Sequence, residues 1–345
     1  MESAIPEHLA KERTRHRRIP DDYAPPYPSF SARYRPGVTR VAMAYFGLQV
    51  RPGDEAAAEP ALAAMAAAFG KGEGPGHWDR ARTVDAAGFV TILSIAYWDD
   101  PDAFRRWYAA HGAFWTGTGP GDDRLGTFVE ILMPGVERYE TLFSSADRAE
   151  GVAVVSDGMS GMVQEHAYWG GMRDRIPLSQ TDAMEPQGAP RIVEADGVLK
   201  VVPHGNICLI RSGQDWSDTD GDERRMYLEE VEPVLRAGMD FLRDEGLSCG
   251  CFANRYMDVV GASGGATDKT FGMSWWTSLA ALERWAESHP THVAIFGAAM
   301  KYLMTVGPDA RLRLYHEVTV AAADEQIFEY RNCHPATGML RAGGG

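Results

Sequence analysis

Two kinds of apolar pattern alternate along the chain. Residues 41–50 (Val-Ala-Met-Ala-Tyr-Phe-Gly-Leu-Gln-Val) form a nearly unbroken apolar run of strand length. The alanine-rich stretch 55–69, stopped by Gly70 and Gly72, has helix length. A strand at 89–97, a helix at 101–111 and a strand at 126–133 follow by the same criteria. The second half repeats the order. It shows a strand at 206–212, a long helical stretch at 221–245 with Gly246 placed to cap it, strands at 251–260 and 269–276, a helix at 278–289 and a strand at 311–320. The first 36 residues, rich in proline and arginine and ending in Pro25-Pro26-Tyr27-Pro28, predict an arm draped over a domain.

The repeat has side-chain support. Trp98, Arg106, Trp107 and His111 recur as Trp276, Arg284, Trp285 and His289, all at one offset of 178 residues. In each copy the first Trp ends a strand, while the second Trp and the His stand four apart on one helix face. The expected class is therefore α+β, with two tandem ferredoxin-like repeats packed as a dimeric-type α+β barrel within one chain. Such a barrel leaves a cavity between sheet and helices. The expected organisation is an arm at 1–37, a first repeat at 38–150, a linker contributing to the site at 151–204, a second repeat at 205–322 and a tail at 323–345.

Composition narrows the function classes. With 45% apolar and 24% charged residues, the 345-residue chain matches a folded globular protein. That length allows roughly 75% of the unfolded surface to be buried, enough to enclose a cofactor. Thirty-four basic against 48 acidic residues leave a net charge of −14, which argues against a nucleic-acid partner. No run of 18 apolar residues offers a transmembrane helix, and Met1–Arg18 lacks the apolar core of a secretory signal. Cys208, Cys249, Cys251 and Cys333 have neither a disulfide framework nor metal-ligand spacing, so free thiols in the reducing cytoplasm are expected.

The common nucleotide, hydrolase and metalloprotease motifs are absent, as is C-x-x-C-H. Histidine carries more information. In Glu287-Ser-His-Pro-Thr-His292, Pro290 ends one helix and opens the next. His292 then lies in the first turn of an apolar, small-residue helix, placed to ligate a flat hydrophobic cofactor or simply to cap the helix. His289, with its counterpart His111, suits a structural role. His316 alternates with Leu314 and Val318 and is expected to face inward among apolar neighbours, where an imidazole can pass a proton both ways. Ser212 is expected at a strand end, at a cavity mouth or in a turn. Arg175, in the aromatic and glycine-rich stretch 165–177, suits a carboxylate, a haem propionate, a substrate or a surface ion pair.

Several segments together are distinctive. Tyr168-Trp-Gly-Gly-Met-Arg-Asp-Arg175, Leu209-Ile-Arg-Ser-Gly-Gln-Asp-Trp216, Arg284-Trp-Ala-Glu-Ser-His-Pro-Thr-His292 and Leu312-Arg-Leu-Tyr-His-Glu317 closely resemble the haem-containing aldoxime dehydratases. The opening Met1-Glu-Ser-Ala-Ile and the ending Phe328–Leu340 do so too, whereas 51–76 and 253–272 do not and the connection 306–311 is slightly long. The resemblance implies a non-covalent haem b, active as ferrous iron, held between sheet and helices in a cytoplasmic homodimer. It implies conversion of an aldoxime, R-CH=N-OH, to a nitrile and water. It makes His292 the axial iron ligand, His316 the distal acid–base group, Ser212 the partner of the oxime hydroxyl, and Arg175 and Glu140 their distal support. Two alternatives stay open: a haem carrier or sensor without lyase activity, and a haem-free barrel enzyme or a three-histidine metal site using His289, His292 and His316.

Overall fold

The nearly unbroken apolar runs become strands buried on both faces, as their lack of alternation requires. The computed structural model describes residues 1–116, 124–167, 171–261 and 264–343. Tyr168-Trp-Gly170, which open one of the resemblance motifs, lie outside the described residues. The first half comprises β1 (Ala32–Arg33), β2 (Ala42–Val50), α1 (Glu59–Phe69), β3 (His77–Val84), β4 (Val90–Trp98), α2 (Pro101–His111), α3 (Ala113–Thr116) and β5 (Gly126–Leu132). A connecting region follows, with β6 (Tyr139–Phe143), β7 (Gly158–Met159), α4 (Gly171–Arg175), β8 (Arg191–Ala195) and β9 (Val198–Val202). The second half holds β10 (Ile207–Asp215), α5 (Gly221–Met226), α6 (Glu232–Glu245), β11 (Cys251–Val260), β12 (Ala266–Trp276), α7 (Leu279–Ser288), α8 (Pro290–Val306) and β13 (Arg313–Ala321). The final segment supplies β14 (Gln326–Arg331).

Twelve strands form one antiparallel sheet in the order β6-β13-β10-β12-β11-β3-β4-β2-β5-β14-β9-β8. Outward from the β11–β3 junction the halves mirror one another, β11-β12-β10-β13-β6 answering β3-β4-β2-β5-β14. The expected α+β class holds, but the expected packing of two sheets into a barrel needs correction. Pairing of Asp258–Val260 with Arg80–Arg82 joins the halves into a single sheet, which keeps β6 and β8 as separate edges. The result is a curled half-barrel. Its curl is visible in bonds between distant strands: Tyr97 on β4 donates to Glu317 on β13, and Trp275 on β12 donates to Glu130 on β5. One apolar core fills the concave side, with Tyr45, Leu93 and Phe128 from the first half against Leu209, Phe271 and Trp275 from the second.

Helices cover the convex side, and there the repeat is visible in three dimensions. Trp98 and Trp107 have ring centroids 5.3 Å apart, and Trp276 and Trp285 5.5 Å. The caps correspond too: Asp100 accepts from Asp102 N–H to start α2, and Ser278, 178 residues later, accepts from Ala281 N–H to start α7. The stretch 221–245 is not one straight helix. A π turn at Tyr227–Val231 separates α5 from α6, because Pro233 has no N–H to continue the ladder. Gly246 caps α6 in right-handed geometry, and the left-handed residue is Gly250 (φ 90°), after a further 3-10 turn. Among the described residues, no helix is long and apolar enough to cross a membrane.

Candidate active site

The convex face of β10, β13 and β6 carries a polar row at the centre of an otherwise apolar surface. Ser212 on β10 stands directly opposite His316 on β13, which stands opposite Leu142 on β6. Side chains so paired share one face of the sheet, with Cβ atoms about 4.5–5.5 Å apart. One step along, Ile210, Val318 and Glu140 form the next row, so Glu140 is diagonal to His316. Ser212 lies inside its strand and not at the strand end that the sequence predicts, because β10 continues to Asp215. Gly213 lets it continue: a Cβ there would fall 2.1 Å from the Tyr315 ring.

Arg175 reaches this row from α4. Its Nε donates to Glu140 Oε2 at 2.7 Å and its Nη2 to Oε1 at 3.2 Å, while Nη1 donates to the Glu165 carbonyl at 2.6 Å. Both residues are buried. Burial alone would push the Glu140 carboxyl up, but Arg175 and then His316 outweigh it and hold it below its usual range. His316 Nε2 lies 3.0 Å from Arg175 Nη2 and 2.9 Å from Glu140 Oε1. A guanidinium can only donate and a carboxylate can only accept, so the two contacts serve different states of one nitrogen. Neutral, Nε2 accepts from Arg175; protonated, it donates to Glu140. His316 thus faces charged partners as well as apolar ones, contrary to the apolar setting expected from its strand pattern.

His292 stands on the other wall. Pro290 opens α8, as its placement predicts, and His292 falls in the first turn. Its Nδ1 donates to the Ala286 carbonyl at 2.9 Å, which leaves the ring lone pair on Nε2, and the ring meets Trp285 edge-on at 4.6 Å. Burial pushes its pKa down to about 4, so the ring is neutral at pH 7. A neutral imidazole with one nitrogen fixed by a carbonyl is the form a metal ligand takes. The rest of α8 suits a flat apolar group: Tyr302 is its one buried residue, Val293 and Met304 are 48% and 71% exposed, and a Cβ at Gly297 would touch nothing. Ile295 packs against the cluster containing Val318 and Val320, so α8 lies on the same side of the sheet as His316. The residues present therefore fit a haem, and His292 is the one here that could ligate its iron.

All five predicted residues lie on this convex side. Four of them (Ser212, His316, Glu140 and Arg175) form one cluster, and His292 stands apart on the covering helix. The three-histidine alternative does not survive. His289 caps α8, its Nδ1 2.9 Å from the Thr291 hydroxyl and its ring against Phe241, and His316 is engaged with Glu140 and Arg175. Among the described residues, no three His, Cys, Asp or Glu side chains gather to hold a metal. The Glu165 carbonyl that anchors Arg175 was not foreseen, because a backbone acceptor leaves no residue-type signal.

Comparison with known proteins agrees. A family model described as haem-containing dehydratase matches residues 44–339. The aliphatic aldoxime dehydratase of Rhodococcus erythropolis is 43% identical over 99% of this chain and 98% of its own. The phenylacetaldoxime dehydratase of Bacillus sp. (strain OxB-1) is 34% identical over 93% of each. A crystal structure of an aldoxime dehydratase superposes with a TM-score of 0.94 at 43% identity, covering 99% of both chains. Another, in complex with butyraldoxime, gives 0.93 at 42% identity, covering 99% of this chain and 97% of that one. Fold, convex-face cluster and full-length similarity converge: the chain belongs to the haem-containing aldoxime dehydratase family.

Proposed function

We propose that this protein dehydrates aliphatic aldoximes, R-CH=N-OH, to nitriles and water, using haem b held through His292. Identity of 43–44% to the aliphatic enzymes against 34% to the phenylacetaldoxime enzyme supports the aliphatic class. When bound, ferrous haem supplies an open coordination position for the oxime nitrogen and electron density toward the N–O bond. Ser212 hydrogen-bonds the oxime oxygen and so holds it beside His316; positioning of this kind contributes several kcal/mol. Protonated His316 gives a proton to the departing hydroxide, which leaves as water. The same imidazole, now neutral, takes the proton from the oxime carbon as the nitrile forms. One proton is given and one returned, so the enzyme ends as it began.

The observation that carries this reading is the double contact of His316 Nε2. Glu140 satisfies the protonated imidazole and Arg175 the neutral one, so the ring keeps a partner in both of the states that proton transfer requires. We further read the halves as products of one duplication, supported by the 178-residue offset and the matching strand orders. The 38–150 and 205–322 units then carry the repeat, and 151–204 delivers Arg175. The test is to reduce the haem-loaded protein, add butyraldoxime, and follow both the absorption spectrum and the organic product. A spectral change confined to the reduced protein, followed by butyronitrile, is expected. A reduced protein that releases no nitrile from any of several aliphatic aldoximes is not a lyase of this kind.

A further inference from the structure

Arg175 sits on a helix of five residues, too short to hold itself in place. The structure supplies the missing support from the chain's own beginning. Residues 1–27 contain one 3-10 turn, Glu7–Leu9, yet they bond to the segment around Arg175 along most of their length. Thr14 and Arg15 donate backbone N–H groups to the Gln180 carbonyl, and Lys11 N–H donates to the Gln180 side chain. The His166 ring donates to the Tyr27 carbonyl at 3.2 Å, and the Tyr23 hydroxyl donates to the His166 carbonyl at 3.1 Å.

Two buried carboxyl groups gather these contacts, and both adjoin an anchor of Arg175. Asp174, its neighbour on α4, accepts from the N–H groups of Arg18 and Ile19, each at 2.9 Å. Glu165, whose carbonyl receives Arg175 Nη1, accepts through its side chain from the Ser3 hydroxyl (3.1 Å), Ala4 N–H (2.8 Å) and Arg17 (3.0 Å). The arm is thus bonded both to the residue before Arg175 and to the residue holding its guanidinium.

We propose that the N-terminal arm is a working part of the active site, with Asp174 and Glu165 as the positioning residues through which it sets Arg175 against Glu140 and His316. This rests on the reading of Arg175 and His316 given above. A guanidinium loosened from Glu140 can no longer offer neutral His316 its hydrogen bond, so the two protonation states of that ring lose their matched partners. The consequence falls on proton transfer and not on the haem, which His292 holds from α8.

Asp174→Ala and Asp174→Asn, compared in the full-length haem-loaded protein, separate positioning from packing. Amide hydrogen exchange at Arg18 and Ile19 reports docking of the arm, the Soret band reports haem, and kcat, KM and the pH–rate profile report the site. Asp174→Ala is expected to speed exchange in the arm, lower kcat roughly 10- to 100-fold with a smaller change in KM, and alter the pH–rate profile with the Soret band kept. Asp174→Asn, whose amide oxygen accepts the same two N–H groups, should restore all of these. Faster exchange with unaltered kcat and pH–rate profile overturns the proposal, since the arm would then be only a cover; so does an arm that stays docked. If Asp174→Ala does not fold, Arg17→Met removes one of the arm's three bonds to Glu165 at a partly exposed site and must show the same pattern on a smaller scale. Wild-type kinetics with a freed arm would contradict it. Arg175→Lys serves as control: a wild-type pH–rate profile there means that the role given to Arg175 is wrong, whatever Asp174 does.

Discussion

The two halves of this molecule use one framework for opposite ends. Aligned through Trp98 and Trp276, strand pairing places Phe46 where the second half has Ser212, Val129 where it has His316, and Ile327 where it has Glu140. In the first half these positions close a core: Phe46 packs among Phe69, Trp107 and Trp115, and Val129 is fully buried. In the second half polar groups stand at all three. The helix after the repeat helix also differs, with four described residues in α3 but 17 in α8, which carries His292 and leaves Val293 and Met304 exposed. One half closes these positions with apolar packing, and the other sets polar side chains there.

The most forceful way to break the comparison is to exchange its terms. Phe46→Ala should cost about 3–5 kcal/mol of unfolding free energy, the usual loss for a buried aromatic ring. Ser212→Ala should change stability by less than about 0.5 kcal/mol while lowering kcat for nitrile formation. Denaturant unfolding and turnover assays check both. Equal stability losses at the two positions would mean that the halves are not specialised in this way.

The concave side sharpens the contrast. Glu130 and Glu317 occupy equivalent positions, and each is gripped by strands of the other half. Glu130 makes a two-pronged pair with Arg255 at 2.7 Å for each prong, and also accepts from Tyr330 and Trp275. Burial would raise its pKa, but Arg255 outweighs burial and holds it down. Where Arg255 stands, the other half has Asp79, and Arg211 donates to Tyr97 and Asp79. Burial therefore dominates at Glu317 and pushes its carboxyl up. Glu130→Gln should cost about 3 kcal/mol, as a broken buried pair does. Glu317→Gln, which keeps one acceptor oxygen but turns an NH2 toward either the Tyr97 hydroxyl or the Val152 N–H, should cost less, about 1–2 kcal/mol. Urea unfolding at pH 7 distinguishes them.

The smallest effect at neutral pH belongs to His166. Burial, and behind it the charge of Arg175, push its pKa from 6.5 down to about 4. As pH falls from 6.5 toward 4, the unfolded chain takes up a proton that the folded protein refuses. The folded state should lose about 3 kcal/mol across that window. His166→Gln should leave stability at pH 7 nearly unchanged and remove this part of the acid sensitivity. An identical pH dependence of unfolding in the variant would show that His166 does not titrate there.

Sequence pattern made much of this legible. The continuous apolar runs mark β2, β4, β5, β10 and β12; Pro290 marks the break between α7 and α8; and the Trp offset points to the matching strand–helix units. Strands missed are mostly polar or lie in connections. β3 reads His-Trp-Asp-Arg-Ala-Arg-Thr-Val, and only Ala81 in it is buried. β6 and β14 serve as flanks to the repeats and carry no long apolar run. At the site, the kinds of residue were recognisable, but their partnership was not. Glu140, Arg175 and His316 come from three elements, and nothing local in the chain records that one carboxylate and one guanidinium share a single ring nitrogen. The support of Arg175 by the arm is hidden for the same reason, since it runs through backbone groups and two carboxylates more than 140 residues away.

The central claim is that the open half divides its work, with His292 holding haem and His316 moving the proton. It is tested most directly by measuring the Soret band and nitrile formation side by side in His292→Ala and His316→Ala. His292→Ala is expected to lose the Soret band. His316→Ala should keep it while nitrile formation falls at least ~100-fold. A His316→Ala protein with wild-type turnover, or a His292→Ala protein with an intact Soret band, would contradict the account.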